Sequence, residues 1–151
     1  MQPPCLDSWI ERRAAIAPAD IAVVFGDGRR TYAHFADRIR ATAALFQRLG
    51  VRRGDRVAFH GRNEPVALDT LFAAASLGAA WVPIHPGRPE DEVRFILEDA
   101  EVAVLVRGRA DTSPSVACAT IRAAEVGRTR DEPPAQRSGA RPSPDDLAVL
   151  A

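Results

Sequence analysis

The chain contains no lysine, and all twenty of its basic residues are arginine. Twenty acidic residues balance them, so the formal net charge at pH 7 is zero and no overall field favours nucleic acid or an anionic membrane. Aromatic residues make up only 6% of the chain and do not alternate with basic ones, as a base-stacking surface would require. We therefore expect no nucleic-acid binding, and no phosphate chemistry that depends on a lysine ammonium group of this chain.

Cysteine and long apolar runs are also scarce. The two cysteines, Cys5 and Cys118, are not at the spacing of metal ligands, so we expect free thiols in a reducing compartment. Residues 1–5 contain no basic stretch followed by an apolar run, and no apolar run approaches the roughly 20 residues that a membrane-spanning helix needs. These features predict a cytoplasmic protein with no signal peptide and no membrane span.

A helix and a β-hairpin are predicted at the start of the chain. The helix would end at Pro18, and its apolar residues at roughly helical spacing are Trp9, Ala14, Ala15 and Ile16. Residues 21–25 form a β-rich run, and the glycines in residues 26–28 can adopt positive φ. We therefore expect residues 30–32 to pair with this run.

Two longer helices follow. Thr31 is expected to cap the first, Gly50 to end it, and its inward stripe to be Phe35, Ile39, Leu45, Phe46 and Leu49. Asn63 is expected to cap the second, with Pro65 in its first turn and Gly78 at its end. The residues predicted to face inward there are Leu68, Leu71, Phe72, Ala75 and Leu77.

The apolar runs 56–60, 80–84 and 102–106 read as strands, and 80–84 is typical of a strand buried on both faces. A helix beginning at Glu90 separates the last two, with an inward stripe of Val93, Ile96, Leu97 and Ala100. Short loops join these elements in the order strand, helix, strand, helix, strand. The predicted fold class is therefore α/β, a βαβαβ unit with a parallel sheet, preceded by a helix and a β-hairpin.

The pattern divides the chain into four stretches. Residues 8–107 form the α/β part, and residues 108–126 contain a possible additional strand at 116–121. Residues 127–144, rich in proline and arginine, are predicted to be a loop or linker. Residues 145–151 read as the start of a further strand.

No catalytic, cofactor-binding or metal-binding residue can be assigned from these patterns. His34, His60 and His85 are not close in sequence, and no carboxylate stands at metal spacing from them. His85 follows a strand end, where ligands often bind, but a structural role is favoured for each histidine. The same structural interpretation is favoured for the turn at 26–28, the helix start at 61–63, and two side chains that could otherwise bind or react, Trp81 and Ser76.

Three segments carry a resemblance to a known family: TYAHF at 31–35, GDRVA at 54–58 and ASLGAAWVPIHP at 75–86. FILED at 95–99 and the strand that follows it continue the match. In this order and spacing they resemble the adenylate-forming superfamily, which includes acyl-CoA synthetases, luciferases and the adenylation domains of peptide synthetases. His34 and His85 depart from the family pattern, where acids or asparagine are common.

The resemblance implies an enzyme that joins a carboxylic acid to AMP, using ATP and Mg²⁺, and then passes the acyl group to CoA or a carrier thiol. In that family, the strand matching residues 147–151 leads into a phosphate-binding loop with a lysine. That loop, the acid pocket and the catalytic lysine of the C-terminal domain would all lie beyond Ala151. The chain is therefore expected to be an N-terminal fragment of such a ligase, inactive by itself.

Two alternatives to a ligase fragment remain. The chain could be a non-catalytic α/β interaction module that docks on a separate catalytic chain and completes its sheet. It could also be an unrelated small nucleotide-binding protein, although no glycine-rich loop leads from a strand into a helix.

Overall fold

The computed structural model describes residues 6–109 and 114–127. Within these residues, an N-terminal helix and a hairpin are followed by helices and strands that alternate, and one further strand comes after the last alternating pair. In chain order they are α1 Leu6–Ile16, β1 Ile21–Phe25, β2 Gly28–Thr31, α2 Tyr32–Arg48, β3 Arg56–His60, α3 Pro65–Ser76, β4 Ala80–Ile84, α4 Glu90–Asp99, β5 Val104–Arg107 and β6 Ala119–Arg122. The predicted loop 127–144, beyond Gly127, and the predicted strand 145–151 lie outside the described residues, as does Cys5.

Four strands form a parallel sheet in the order β4-β3-β5-β6, which confirms the predicted α/β fold class. In its register Val57 of β3 lies opposite Trp81 on one side and Val104 on the other. β1 and β2 form a separate antiparallel hairpin, and Gly26 at its turn has a φ of 56°. β3 and β4 have their predicted bounds, whereas β5 and β6 begin later than expected.

The sheet separates two apolar clusters, because successive side chains of a strand point to opposite faces. On one face, Val57 and Phe59 of β3 belong to a cluster that includes Phe46 of α2. On the other face, Ala58 and Leu105 pack in the cluster that contains the α4 residues Val93 and Leu97. The two faces are therefore covered by different helices, as a βαβ arrangement requires.

The ends of α2 follow the sequence prediction. The Thr31 hydroxyl accepts a hydrogen bond from the backbone N–H of His34 at 3.3 Å, which caps the helix. At the other end, Gly50 has a φ of 89°, and the N–H of Val51 donates to the carbonyl of Phe46. Leu49, which was predicted to face inward, is 36% exposed because the helix has already ended.

Two predictions about helix faces and caps are wrong, and a third is correct only in part. In α1 it is Ile10 that packs on the core, whereas Trp9 is 54% and Ile16 75% exposed. The N-cap of α3 is Glu64 rather than Asn63, because Pro65 occupies the first helical turn directly after it. Of the predicted inward residues of α3, Ala75 is buried and Phe72 and Leu77 pack on the core, whereas Leu68 is 37% exposed. The buried residues of this helix are Val66, Asp69, Thr70, Ala73, Ala74 and Ala75.

The face of α3 is displaced because polar contacts and small side chains, rather than leucines, set its packing. Asp69 is held by two arginines, and Ala73 and Ala74 let the helix approach its neighbours closely. β4 also departs from prediction, because it is an edge strand of the described sheet and Pro83 in it is exposed. An edge position tolerates a residue that lacks a backbone N–H.

Candidate functional site

The carboxyl ends of the four parallel strands lie at one edge of the sheet, the usual location of ligand sites in open α/β folds. His60 ends β3, His85 follows β4, and Arg107 and Arg122 end β5 and β6. This edge of the sheet is therefore a candidate ligand-binding site. No described helix is both long and apolar enough to cross a membrane.

The three histidines do not form a common site. His60 is buried, whereas His34 and His85 are exposed, and the Nδ1 atom of His85 accepts a hydrogen bond from the N–H of Gly87 at 3.0 Å. Across residues 6–109 and 114–127, no three His, Cys, Asp or Glu side chains come together as a metal site needs.

Trp81 and Ser76 both form side-chain hydrogen bonds with groups of α3. The indole N–H of Trp81 donates to the Thr70 hydroxyl at 3.0 Å, and its ring stacks on Phe59. The Ser76 hydroxyl donates to the carbonyl of Ala73 at 2.8 Å within the same helix. These bonds hold both side chains against the helix.

The loops after β3 and β5 touch through glycines. The N–H of Gly108 donates to the carbonyl of His60 at 2.9 Å. A Cβ atom at Gly108 would lie 2.9 Å from Cα of Gly61 and 2.9 Å from Oε1 of Glu64. The same Glu64 oxygen accepts a hydrogen bond from the N–H of Arg109 at 3.2 Å. This contact joins the start of α3 to the end of β5.

A buried carboxylate with two arginine partners was not predicted from the sequence. Asp69 has no exposed side-chain surface, and its two oxygens accept from Arg30 of β2 at 2.6 Å and from Arg38 of α2 at 2.8 Å. Arg38 also donates to the carbonyl of Val126 at 3.1 Å. Burial lowers the pKa of Arg30, and the charge of Arg38 acts in the same direction, while Asp69 opposes both. The sequence does contain a feature that could have indicated this pairing, because Asp69 is the one charged residue in the otherwise uncharged helix α3.

A cavity of about 470 Å³ lies beside these arginines. Its walls come from the β-hairpin, α2, the start of α3, and the segments that follow β5 and β6. They are Val23, Phe25, Gly28, Arg29, Arg30, His34, Arg38, Glu64, Pro65, Val66, Arg109, Ala123 and Ala124. The lining combines guanidinium groups with apolar side chains, an arrangement that suits the binding and positioning of a ligand. These lining residues include no serine, threonine or cysteine that could act as a nucleophile.

Comparison with known proteins agrees with this fold. Residues 10–151 match the family model described as AMP-binding enzyme. Feruloyl-CoA synthase of Amycolatopsis sp is 36% identical over 144 residues, which cover 95% of this chain and 28% of that protein. Indoleacetate–CoA ligase of Aromatoleum aromaticum is 35% identical over 100 residues, covering 66% of this chain and 20% of the ligase.

Solved structures show the same architecture. The N-terminal subdomain of Klebsiella oxytoca NpsA, in complex with 3-hydroxybenzoyl-AMSN, aligns with a TM-score of 0.83 and 25% identity over 98% of this chain and 37% of its own. VinN aligns with a TM-score of 0.84 over 99% of this chain and 40% of its own, and at 21% identity it bears on the fold alone.

The matched family, the parallel sheet and the preceding hairpin together define the class of protein. This chain belongs to the AMP-binding enzyme family, the adenylate-forming superfamily that its sequence segments resemble. It spans a little over a quarter of the length of the feruloyl-CoA synthases that it matches.

Proposed function

We propose that this chain supplies the sheet-forming scaffold of a ligase that activates a carboxylic acid with ATP. In that reaction the carboxylate attacks the α-phosphorus of ATP and pyrophosphate leaves. A thiol of CoA or of a carrier protein then attacks the acyl carbon and AMP leaves. The observation that carries the proposal is the 36% identity with feruloyl-CoA synthase across 95% of the chain.

In this proposal the described residues position other parts of the enzyme and do not themselves take part in the reaction. β3 and β5 are buried in the centre of the described sheet, and their carboxyl ends are joined by the contact between Gly61 and Gly108. We expect this carboxyl edge of the sheet to hold the neighbouring segments of the enzyme at fixed positions, because reacting groups must be held in a defined geometry for catalysis. The 151 residues contain no lysine, so a lysine that contacts ATP phosphates must come from another part of the enzyme. By itself the 151-residue chain is proposed to be inactive.

A chimera tests the scaffold role. The 144 aligned residues of the Amycolatopsis feruloyl-CoA synthase are replaced by the matching residues of this chain, and feruloyl-CoA formation from ferulate, ATP and CoA is measured. We expect measurable activity in the chimera, because the two segments share one fold, and none in the synthase from which the segment is deleted. A folded chimera without activity would contradict the proposal.

Two further measurements separate the proposal from its alternatives. ATP–pyrophosphate exchange by the 151-residue chain alone, with a panel of carboxylic acids, is expected to be absent, and exchange would overturn the proposed inactivity. The chain is then added as a separate polypeptide to the segment-deleted synthase. If feruloyl-CoA formation is recovered in that mixture but is absent from the fused chimera, the docking-module alternative is favoured.

A further inference from the structure

The cavity beside Asp69 carries an excess of positive charge. Four arginines line it, namely Arg29, Arg30, Arg38 and Arg109. The carboxylates in contact with these arginines are Asp69 and Glu64, so two positive charges remain in excess among the described residues.

This charge is held in place rather than dispersed in solvent. Arg30 and Arg38 share the single carboxylate of Asp69, each bonded to a different oxygen, and their side chains are only 16% and 23% exposed. Arg38 is fixed further by its bond to the Val126 carbonyl. Burial lowers the pKa of Arg30, Asp69 opposes this effect, and the like charge of Arg38 lowers the pKa further. Two guanidinium groups that share one carboxylate repel each other. An additional anion would relieve the repulsion.

Much of the remaining lining is apolar, which favours an anion with a hydrocarbon part over a small inorganic anion. Six residues contribute this surface: Val23, Phe25, Pro65, Val66, Ala123 and Ala124. The volume of about 470 Å³ lies within the range of small-molecule sites, which is about 300–1,000 Å³.

We propose that this cavity binds a small organic carboxylate with an apolar body. The planar guanidinium fork matches a carboxylate in a bidentate manner, and the apolar wall would receive the hydrocarbon part. Arg29 and Arg109 are exposed and would approach the ligand from solvent, while Arg30 and Arg38 supply fixed charge. The site uses residues of this chain alone and does not depend on the proposed acid activation.

A titration of the 151-residue chain with sodium benzoate tests the site. Backbone amide shifts are followed by heteronuclear NMR, with benzamide as the neutral isostere and inorganic phosphate as the anion without an apolar body. Saturable shifts centred on Arg29, Arg109 and Ala124 are expected with benzoate, and none with benzamide. Equal binding of benzamide, tighter binding of phosphate, or shifts elsewhere on the chain would overturn the proposal.

Two kinds of variant connect the binding to the cavity. The double variant Arg29→Gln with Arg109→Gln removes two exposed charges without touching Asp69, and we expect benzoate to bind about tenfold more weakly. The matched control is Arg12→Gln with Arg52→Gln, which removes the same charge from exposed positions outside the cavity and should bind as the parent does. Ala124→Trp should block binding by filling the cavity. Equal weakening in the control would show a general charge effect and refute the site.

Discussion

Asp69 joins parts of the chain that are distant in sequence. Its carboxylate bonds to the hairpin through Arg30 and to α2 through Arg38, and Arg38 extends the network to Val126 after β6. A charged residue with no exposed side-chain surface is stable only when it is paired, because burial of an isolated charge is costly. The bond between Arg30 and Asp69 therefore helps to hold the hairpin against α3, together with the packing of Ala22 and Val23 on the core.

Asp69→Asn should destabilise the protein strongly. Removing the carboxylate charge leaves two partly buried guanidinium groups without their shared partner, and a loss of about 3 kcal/mol in the free energy of unfolding is expected. Urea denaturation followed by circular dichroism measures this. The control is Asp37→Asn, whose carboxylate also bonds to an arginine but is 69% exposed, so that a change below about 0.5 kcal/mol is expected. Equal effects of the two substitutions would contradict the assigned role.

Gly108→Ala should disturb the carboxyl edge of the sheet. The new Cβ would meet backbone at Gly61, which cannot move aside as a side chain can, and we expect a loss of about 1–3 kcal/mol. Gly87→Ala is the matched control, since its nearest neighbours are ring atoms of the exposed His85, and less than about 1 kcal/mol is expected there. Thermal unfolding of both variants provides the comparison. A neutral Gly108→Ala would mean that the two loops can separate freely.

The thiol of Cys118 should titrate later in the folded chain than in the unfolded one. Burial raises its pKa above the ordinary value, outweighing hydrogen bonds and the charge of Arg107, which lower it. In a Cys5→Ser variant, the pH midpoint of iodoacetamide alkylation should therefore lie higher in the folded chain than in denaturant. Because the folded pKa is the higher one, this group contributes stability below the unfolded pKa, and loses it as pH rises through the folded pKa. An identical midpoint in both states would refute the burial effect.

At the level of elements, two strands and the cap of α2 were predicted correctly from sequence, whereas the cap of α3 was not. β3 and β4 have their predicted bounds, and Thr31 caps α2 as expected. These features depend on neighbouring residues, which a sequence displays directly. The inward face of α3 was predicted only in part, because the apolar stripe included the exposed Leu68 and did not indicate that Asp69 is buried.

Thr31→Ala should weaken the start of α2. Its hydroxyl satisfies the N–H of His34, and loss of such a cap costs about 1 kcal/mol. The expected result is a lower free energy of unfolding in urea denaturation. Thr31→Ser retains the hydroxyl and should restore nearly all of the lost stability. A Thr31→Ser variant as unstable as Thr31→Ala would show that the methyl group, not the cap, is responsible.

At the scale of the whole molecule, the described chain consists of a buried parallel sheet and a more exposed hairpin. β3 is paired on both sides, and Val57 and Ala58 within it are fully buried. β1 is paired on one side only, and Val24 and Phe25 are each more than half exposed. Stability should therefore differ between the two sheets.

Native-state hydrogen exchange should show this difference. The amides of β3 are expected to exchange about a hundredfold or more slowly than the hydrogen-bonded amides of β1, because opening β3 requires separating both apolar clusters. The Asp69→Asn variant should accelerate exchange in β1 and β2 more than in β3, since Asp69 anchors the hairpin. Uniform exchange across both sheets would mean that the hairpin and the parallel sheet unfold as one unit.

The sequence by itself determined the fold class, the order of the elements and the family, since apolar periodicity, caps and short ordered segments are local properties. The tertiary structure decided what those elements bring together. Asp69 meets two arginines more than thirty positions earlier in the chain, and Gly108 meets Gly61 across the sheet edge. Neither pairing leaves a spacing pattern in the sequence, because contacts between elements depend on how the chain folds back in space. The charged cavity follows from those contacts, so it became visible only in the folded molecule.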